Sequence, residues 1–185
     1  IERNIMGKIE ALKEQQLDFI NVLPALEDIS AKNSGVVETT TFTGVDGVKT
    51  ALDTALFCAG RQWKIIAPTQ NFLSESEKEY ADYFIKIQKQ RGIKAKSLWE
   101  PSFVKGRTFD KTAFEFRDPR VLPKVLEGRF KSMVILFDSK VLFVNSVAVT
   151  SAVLIESSEI HDTIEVFFDG LWANASVIPK RNHRK

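Results

Sequence analysis

Cysteine is nearly missing from this chain: Cys58 stands alone among 185 residues. One thiol closes no intrachain disulfide and builds no cysteine-based zinc site, which fits a reducing compartment. Histidine is almost as scarce, with only His161 and His183, and His161 has no second His, Cys or carboxylate pair at ligand spacing on a known motif. No metal and no cofactor is expected. No apolar run reaches the ~18 residues of a membrane span. The amino terminus is a charged amphipathic stretch rather than a signal peptide, so a cytoplasmic protein without membrane contact is expected. A strong charge of one sign is also lacking. The formal net charge of +2 is too small to argue for nucleic acid by itself.

What is present is an ordinary globular composition, 44% apolar and 27% charged, long enough for one domain plus an appendage. Its centre is the stretch from Phe130 to Glu156. Met133 to Phe137, Val141 to Val144 and the run between Val147 and Ile155 are short and rich in β-branched residues, with the polar turn Asp138-Ser139-Lys140 after the first. Such runs read as strands buried on both faces. A sheet covered twice needs helices, and amphipathic ones flank it.

Residues 1 to about 30 read as one long helix. Ile5, Ile9, Leu12, Gln16, Phe19, Leu23 and Leu26 repeat at alternating spacings of four and three, a heptad seam with one polar member. Pro24 kinks or restarts it. A coiled coil joining two chains and a helix lying on its own domain both satisfy this pattern. The chain starts at Ile1 rather than Met, and the helix is expected to connect to something upstream.

After the polar linker 30–35, strand and helix alternate. Residues 36–43 form a strand near an edge, Gly44 to Gly47 a turn, and Val48, Leu52, Ala55 and Leu56 one helical face. Trp63 to Ala67 is the next strand. Ser74 and Glu77 form a capping box for a helix burying Tyr80, Ala81, Phe84 and Ile87, and residues 93–99 are a third strand. This order predicts parallel neighbours joined by crossovers. Lys86 to Lys96 holds five basic residues and no acidic one, a solvated face or a phosphate-binding one. Residues 100–128, with Pro101, Pro119 and Pro123, read as a long excursion with one or two short helices, where binding residues often sit. The final helix, about 157–175, carries a stripe of Ile160, Ile164, Phe167, Leu171 and Trp172, weakened near Gly170. The basic run 180–185 is a tail, so the organisation is 1–30 helix, 36–178 domain and 179–185 tail.

Lys131-x-Met133-x4-Asp138, followed by Ser146 and Glu156, resembles a phospholipase D half-site, His-x-Lys-x4-Asp with a later Ser and Glu. In that superfamily the His is the nucleophile or its acid–base partner and the Lys binds phosphate. Here Lys131 and Met133 stand in those places, so the resemblance implies the fold without the chemistry: α/β, a mixed and largely parallel sheet covered by helices. A narrower resemblance is to TrmB-family transcriptional regulators, which join a winged helix-turn-helix, a coiled-coil helix and a degenerate phospholipase D-like domain. The leading heptad helix, Thr43-Gly44, Tyr83-Phe84, Arg91-Gly92-Ile93, Arg120-Val121-Leu122-Pro123 and Phe168-Asp169-Gly170-Leu171-Trp172 carry it.

That resemblance implies a non-enzymatic dimerisation and effector-sensing part of a regulator. It implies a homodimer through residues 1–30 and DNA contact only through an upstream domain. A small-molecule effector would meet Trp99, Arg120 and Lys131. Sugar-binding residues are not carried over, since the further β-rich portion of sugar-sensing members is not expected after Lys185. A pure interaction module and a phospholipase D-type phosphodiesterase are the alternatives.

Overall fold

The computed structural model describes residues 37–75, 78–107, 109, 114–145 and 149–178. The heptad seam from Ile5 to Leu26, Glu77 and the Ser74 side chain of the capping box, Ser146 and the basic tail therefore lie outside the described residues.

Among the described residues, eight strands form one sheet: β1 Glu38–Thr43, β2 Gln62–Ala67, β3 Lys94–Trp99, β4 Arg117–Val121, β5 Met133–Phe137, β6 Lys140–Asn145, β7 Ser151–Glu156 and β8 Ser176–Val177. Their order is β1-β7-β6-β5-β2-β3-β4-β8. The expected mixed α/β architecture is present, but the balance leans the other way from the largely parallel sheet expected. Only β2/β3 and β3/β4 pair in parallel, and the other pairings are antiparallel. The reason lies in the centre. The tight turn at Asp138-Ser139 makes β5 and β6 a hairpin, and the β5-β6-β7 meander inserts between β1 and β2. β1 and β2 still run the same way, but as strands four places apart. β1 is an edge strand, as its loose alternation suggests.

The two sheet faces carry separate cores. Helix α1, Gly44–Leu56, buries Val48, Ala51, Leu52, Ala55 and Leu56 against β1 and β7. It starts directly at Gly44, where a turn was expected, because Gly44 takes φ +73° and its N–H donates to the Thr150 carbonyl at 2.9 Å. The short helix α2, Phe72–Glu75, leads to α3, Lys78–Gln90. Phe84 on α3 stacks on Trp63 at 5.4 Å, and the Trp63 indole donates to the Ala55 carbonyl at 3.0 Å. α3 ends as the sequence indicates, at Gly92 with φ +68°.

On the other face lies α5, Ser158–Asn174, over Ile66, Leu98, Val134, Leu136 and Val141. Ser157 caps it, accepting from the Ile160 N–H. Of the expected stripe, Ile160, Ile164, Leu171 and Trp172 pack on this face, but Phe168 is fully buried in place of Phe167, which is 62% exposed. Of two adjacent phenylalanines, only Phe168 falls four residues before Trp172, on which it stacks at 5.7 Å. Gly170 does not end the helix, which continues to Asn174. No helix among the described residues is long and apolar enough to cross a membrane.

The excursion at 100–128 contains an unexpected strand, β4, besides the short helix α4, Pro101–Val104, and a 3-10 turn at Lys124–Leu126. Pro119 and three charged residues hide it in the sequence. The proline is tolerated because β8 pairs only with Arg120 and Val121, leaving the outer side of Pro119 without a ladder partner.

Candidate functional site

Strands β2, β3 and β6 point their carboxyl ends the same way as the start of β5. In open α/β sheets this is the end that receives ligands. A cavity of about 720 Å³ opens there. Its wall includes Thr69 after β2, Glu100 after β3, Gly128 and Lys131 before β5, and Asn145 at the end of β6. The Ser132 hydroxyl donates to the side-chain Oδ1 of Asn145, tying the β5 and β6 ends together. The Thr69 and Ser102 hydroxyls lie 2.6 Å apart.

Glu100 organises this wall. It is only 3% exposed. Its Oε2 accepts from the Thr69 N–H and its Oε1 from the Gly128 N–H, each at 2.8 Å. Three loops are thereby tied to one carboxylate. The exposed Lys131 ammonium donates to the Gly128 carbonyl, also at 2.8 Å. Gly128 takes φ +68°, a conformation glycine adopts without penalty. Glu100 was not singled out in the sequence. Its only signal is a carboxylate between a buried strand and Pro101.

Of the three residues expected to meet a ligand, only Lys131 lines this cavity. Trp99 is 6% exposed, its ring centroid 5.0 Å from that of Phe103 and 5.2 Å from that of Phe109. Its side chain lies on the opposite sheet face from Leu98, as strand alternation requires. Arg120 faces α5 instead: its guanidinium sits 4.4 Å over the Trp172 ring and donates to the Trp172 carbonyl at 2.9 Å. The three are not brought together.

The half-site motif is also taken apart. Asp138 stands at the far end of β5 from Lys131, on the order of 20 Å away at strand rise. With φ +51°, it accepts from the Ala59 and Gly60 N–H groups at 3.0 and 2.9 Å. Glu156 pairs with Lys140 across β6 and β7, at that same far end.

A second hollow of about 510 Å³ lies at this far end, lined in part by Lys64, Arg117, His161 and Glu165. Two of its cations are engaged. Lys64 bonds Glu165 at 2.9 Å and Asp169 at 2.7 Å. Burial pulls the Lys64 pKa down, but these two carboxylates outweigh it and hold it above its ordinary value. Burial lowers that of Arg117, which donates to the buried Gln88 at 3.0 Å. Ligand atoms of His161, Asp162 and Glu165 lie within 4.8 Å of one another. The i, i+4 spacing on α5 puts His161 and Glu165 on one face, and Asp162 Oδ1 reaches the His161 ring at 3.1 Å, a grouping that no sequence motif marks.

No protein-family model and no curated protein sequence matches the chain. Solved structures do. TrmBL2, an archaeal chromatin protein whose structure shows a novel mode of DNA binding, is similar with a TM-score of 0.51 at 19% identity, over 96% of this chain and 70% of that one. The phospholipase D family member Nuc from Salmonella typhimurium is similar with a TM-score of 0.56 at 13% identity, over 78% of this chain and 100% of that one. NucT from Helicobacter pylori gives 0.55 at 12%, over 77% and 100%. The fold is phospholipase D-like. At these identities the likeness is one of fold.

Proposed function

We propose that this chain is the dimer-forming, effector-sensing part of a TrmB-like DNA-binding regulator, built on a phospholipase D-like domain that has given up catalysis. The observation that carries the reading is the open cleft at the carboxyl ends of β2, β3 and β6, with Lys131 where a phosphodiesterase of this type needs an imidazole. A cleft of about 720 Å³ is of small-molecule size. The likeness to TrmBL2 over nearly the whole chain supports a setting on DNA. In this reading, residues 1–30 pair two protomers through the seam from Ile5 to Leu26. DNA is reached through a winged helix-turn-helix preceding residue 1. A ligand that changes the separation of paired domains changes the spacing of two DNA-binding heads.

The test is thermal denaturation of the full chain against sugars, nucleotides, amino acids and phosphorylated metabolites, with light scattering alongside. A raised melting temperature with at least one ligand and a two-protomer mass are expected. No shift with any ligand favours a pure interaction module, and a lone protomer removes the paired-helix mechanism. Hydrolysis of a generic phosphodiester that disappears in Lys131→Ala overturns the non-enzymatic reading.

A further inference from the structure

Glu100 is a buried carboxylate without a cation. The carboxylate's interactions with described residues are the two backbone N–H bonds from Thr69 and Gly128. A carboxylate offers about four acceptor positions, so two are unused. An unpaired charge out of water is costly, and this one lines an open cavity. The group that would complete it is a cation supplied from the cavity.

Lys131 sets a second requirement. Its ammonium spends one bond on the Gly128 carbonyl and keeps two of its three donors. Glu100 and Lys131 therefore hold the N–H and the C=O of one residue, each at 2.8 Å. Standard backbone dimensions then put the carboxylate and the ammonium no more than roughly 10 Å apart. A ligand carrying an ammonium and a carboxylate about 3 Å from each other, with a hydrogen bond at each end, fits within that limit. Inorganic phosphate satisfies Lys131 alone, and an uncharged polyol leaves both charges uncompensated.

We propose that the cleft binds a free α-amino acid, with Glu100 accepting from the α-ammonium and Lys131 donating to the carboxylate. The paired hydroxyls of Thr69 and Ser102 and the side chains of Gln70 and Asn145 line the remaining space, where the ligand's own side chain is read. This rests on the effector-sensing function proposed above and names its ligand class.

The experiment is calorimetric and thermal-shift titration of the full chain with each standard L-amino acid. Each binder's decarboxylated amine and deaminated acid, inorganic phosphate and glucose are measured in parallel. At least one amino acid is expected to bind about tenfold or more tighter than either truncated analogue. Lys131→Gln, at an exposed position, is expected to erase the preference for the amino acid over its amine. Glu100→Gln, its fold checked by circular dichroism, is expected to erase the preference over the acid. If glucose or phosphate binds and no amino acid outcompetes its analogues, the amino-acid assignment is overturned and effector sensing stands. If no probe binds, the amino-acid assignment falls, and effector sensing is decided by the wider panel of nucleotides and phosphorylated metabolites.

Discussion

The Gly60 N–H donates to Asp138 Oδ1 at 2.9 Å, joining positions 78 residues apart in the chain. A Cβ at Gly60 would sit 3.2 Å from that same oxygen, so the close approach requires glycine or a shift of the carboxylate. The partner oxygen takes the Ala59 N–H. Asp138 thus clamps the connection between α1 and β2 to the β5–β6 turn. The motif's aspartate has a structural use here that needs no histidine.

Asp138→Ala should therefore destabilise the protein by about 1–3 kcal/mol, from two charge-assisted bonds lost and a β-carbon left at positive φ without local compensation. Urea denaturation measures it. Ligand binding at the cleft should be unchanged, because Asp138 lies at the other end of β5. Asp138→Asn, which keeps an acceptor and tolerates the left-handed region, should lose less.

The burial of Phe168 in place of Phe167 on α5 gives a sharper contrast. Phe168→Ala removes a fully buried ring and its stack on Trp172, and should cost about 3–5 kcal/mol. Phe167→Ala removes a ring that is 62% exposed and should stay within about 1 kcal/mol. Denaturation midpoints of the two variants decide which phenylalanine the core uses.

Those two residues also mark what the sequence could convey. The burial of β5, the hydrophobic face of α1 and the stop at Gly92 are local patterns, and each was legible. Strand neighbours are not local. Nothing in Met133–Glu156 says that its meander enters between β1 and β2, so a strand–helix–strand rhythm read as a mostly parallel sheet. β4 was hidden because Pro119 and its charged neighbours lower strand propensity, while its pairing with β3 overrides that preference. At the site, linear motif spacing misled. Lys131 and Asp138 are seven positions apart in sequence, but a strand stretches them to opposite ends of the sheet. Glu100 acquires its role only when three loops converge on it.

Gly170 lies inside α5, and a β-carbon there would meet nothing within 4 Å. Gly170→Ala should therefore stabilise the domain by about 0.5–1 kcal/mol through lower unfolded-state entropy and higher helix propensity. A rise in denaturation midpoint without a change in the slope of the transition is expected. A fall would mean that a close neighbour, such as another protomer, occupies that space.

Tyr80 supplies a pH signature. Its hydroxyl lies 3.0 Å from the Lys49 carbonyl and 3.1 Å from Asp53 Oδ1, donating between them. Burial first, and then the Asp53 charge and hydrogen bond, push the phenol pKa far above its ordinary 10.0. A folded-state pKa above the unfolded value means that the native state holds the proton more tightly. The stabilisation is then complete below pH 10 and is lost as pH rises beyond it. Tyr80→Phe should cost roughly 0.5–1.5 kcal/mol at neutral pH. Above pH 10 the parent loses stability through ionisation of its unfolded-state Tyr80, which the phenylalanine variant escapes, so the difference between them should shrink. Urea melts of both proteins from pH 7 to pH 11 measure this. A difference that grows with pH would show that the Tyr80 phenol ionises more readily in the folded protein than in the unfolded chain, contrary to the burial and the Asp53 contact.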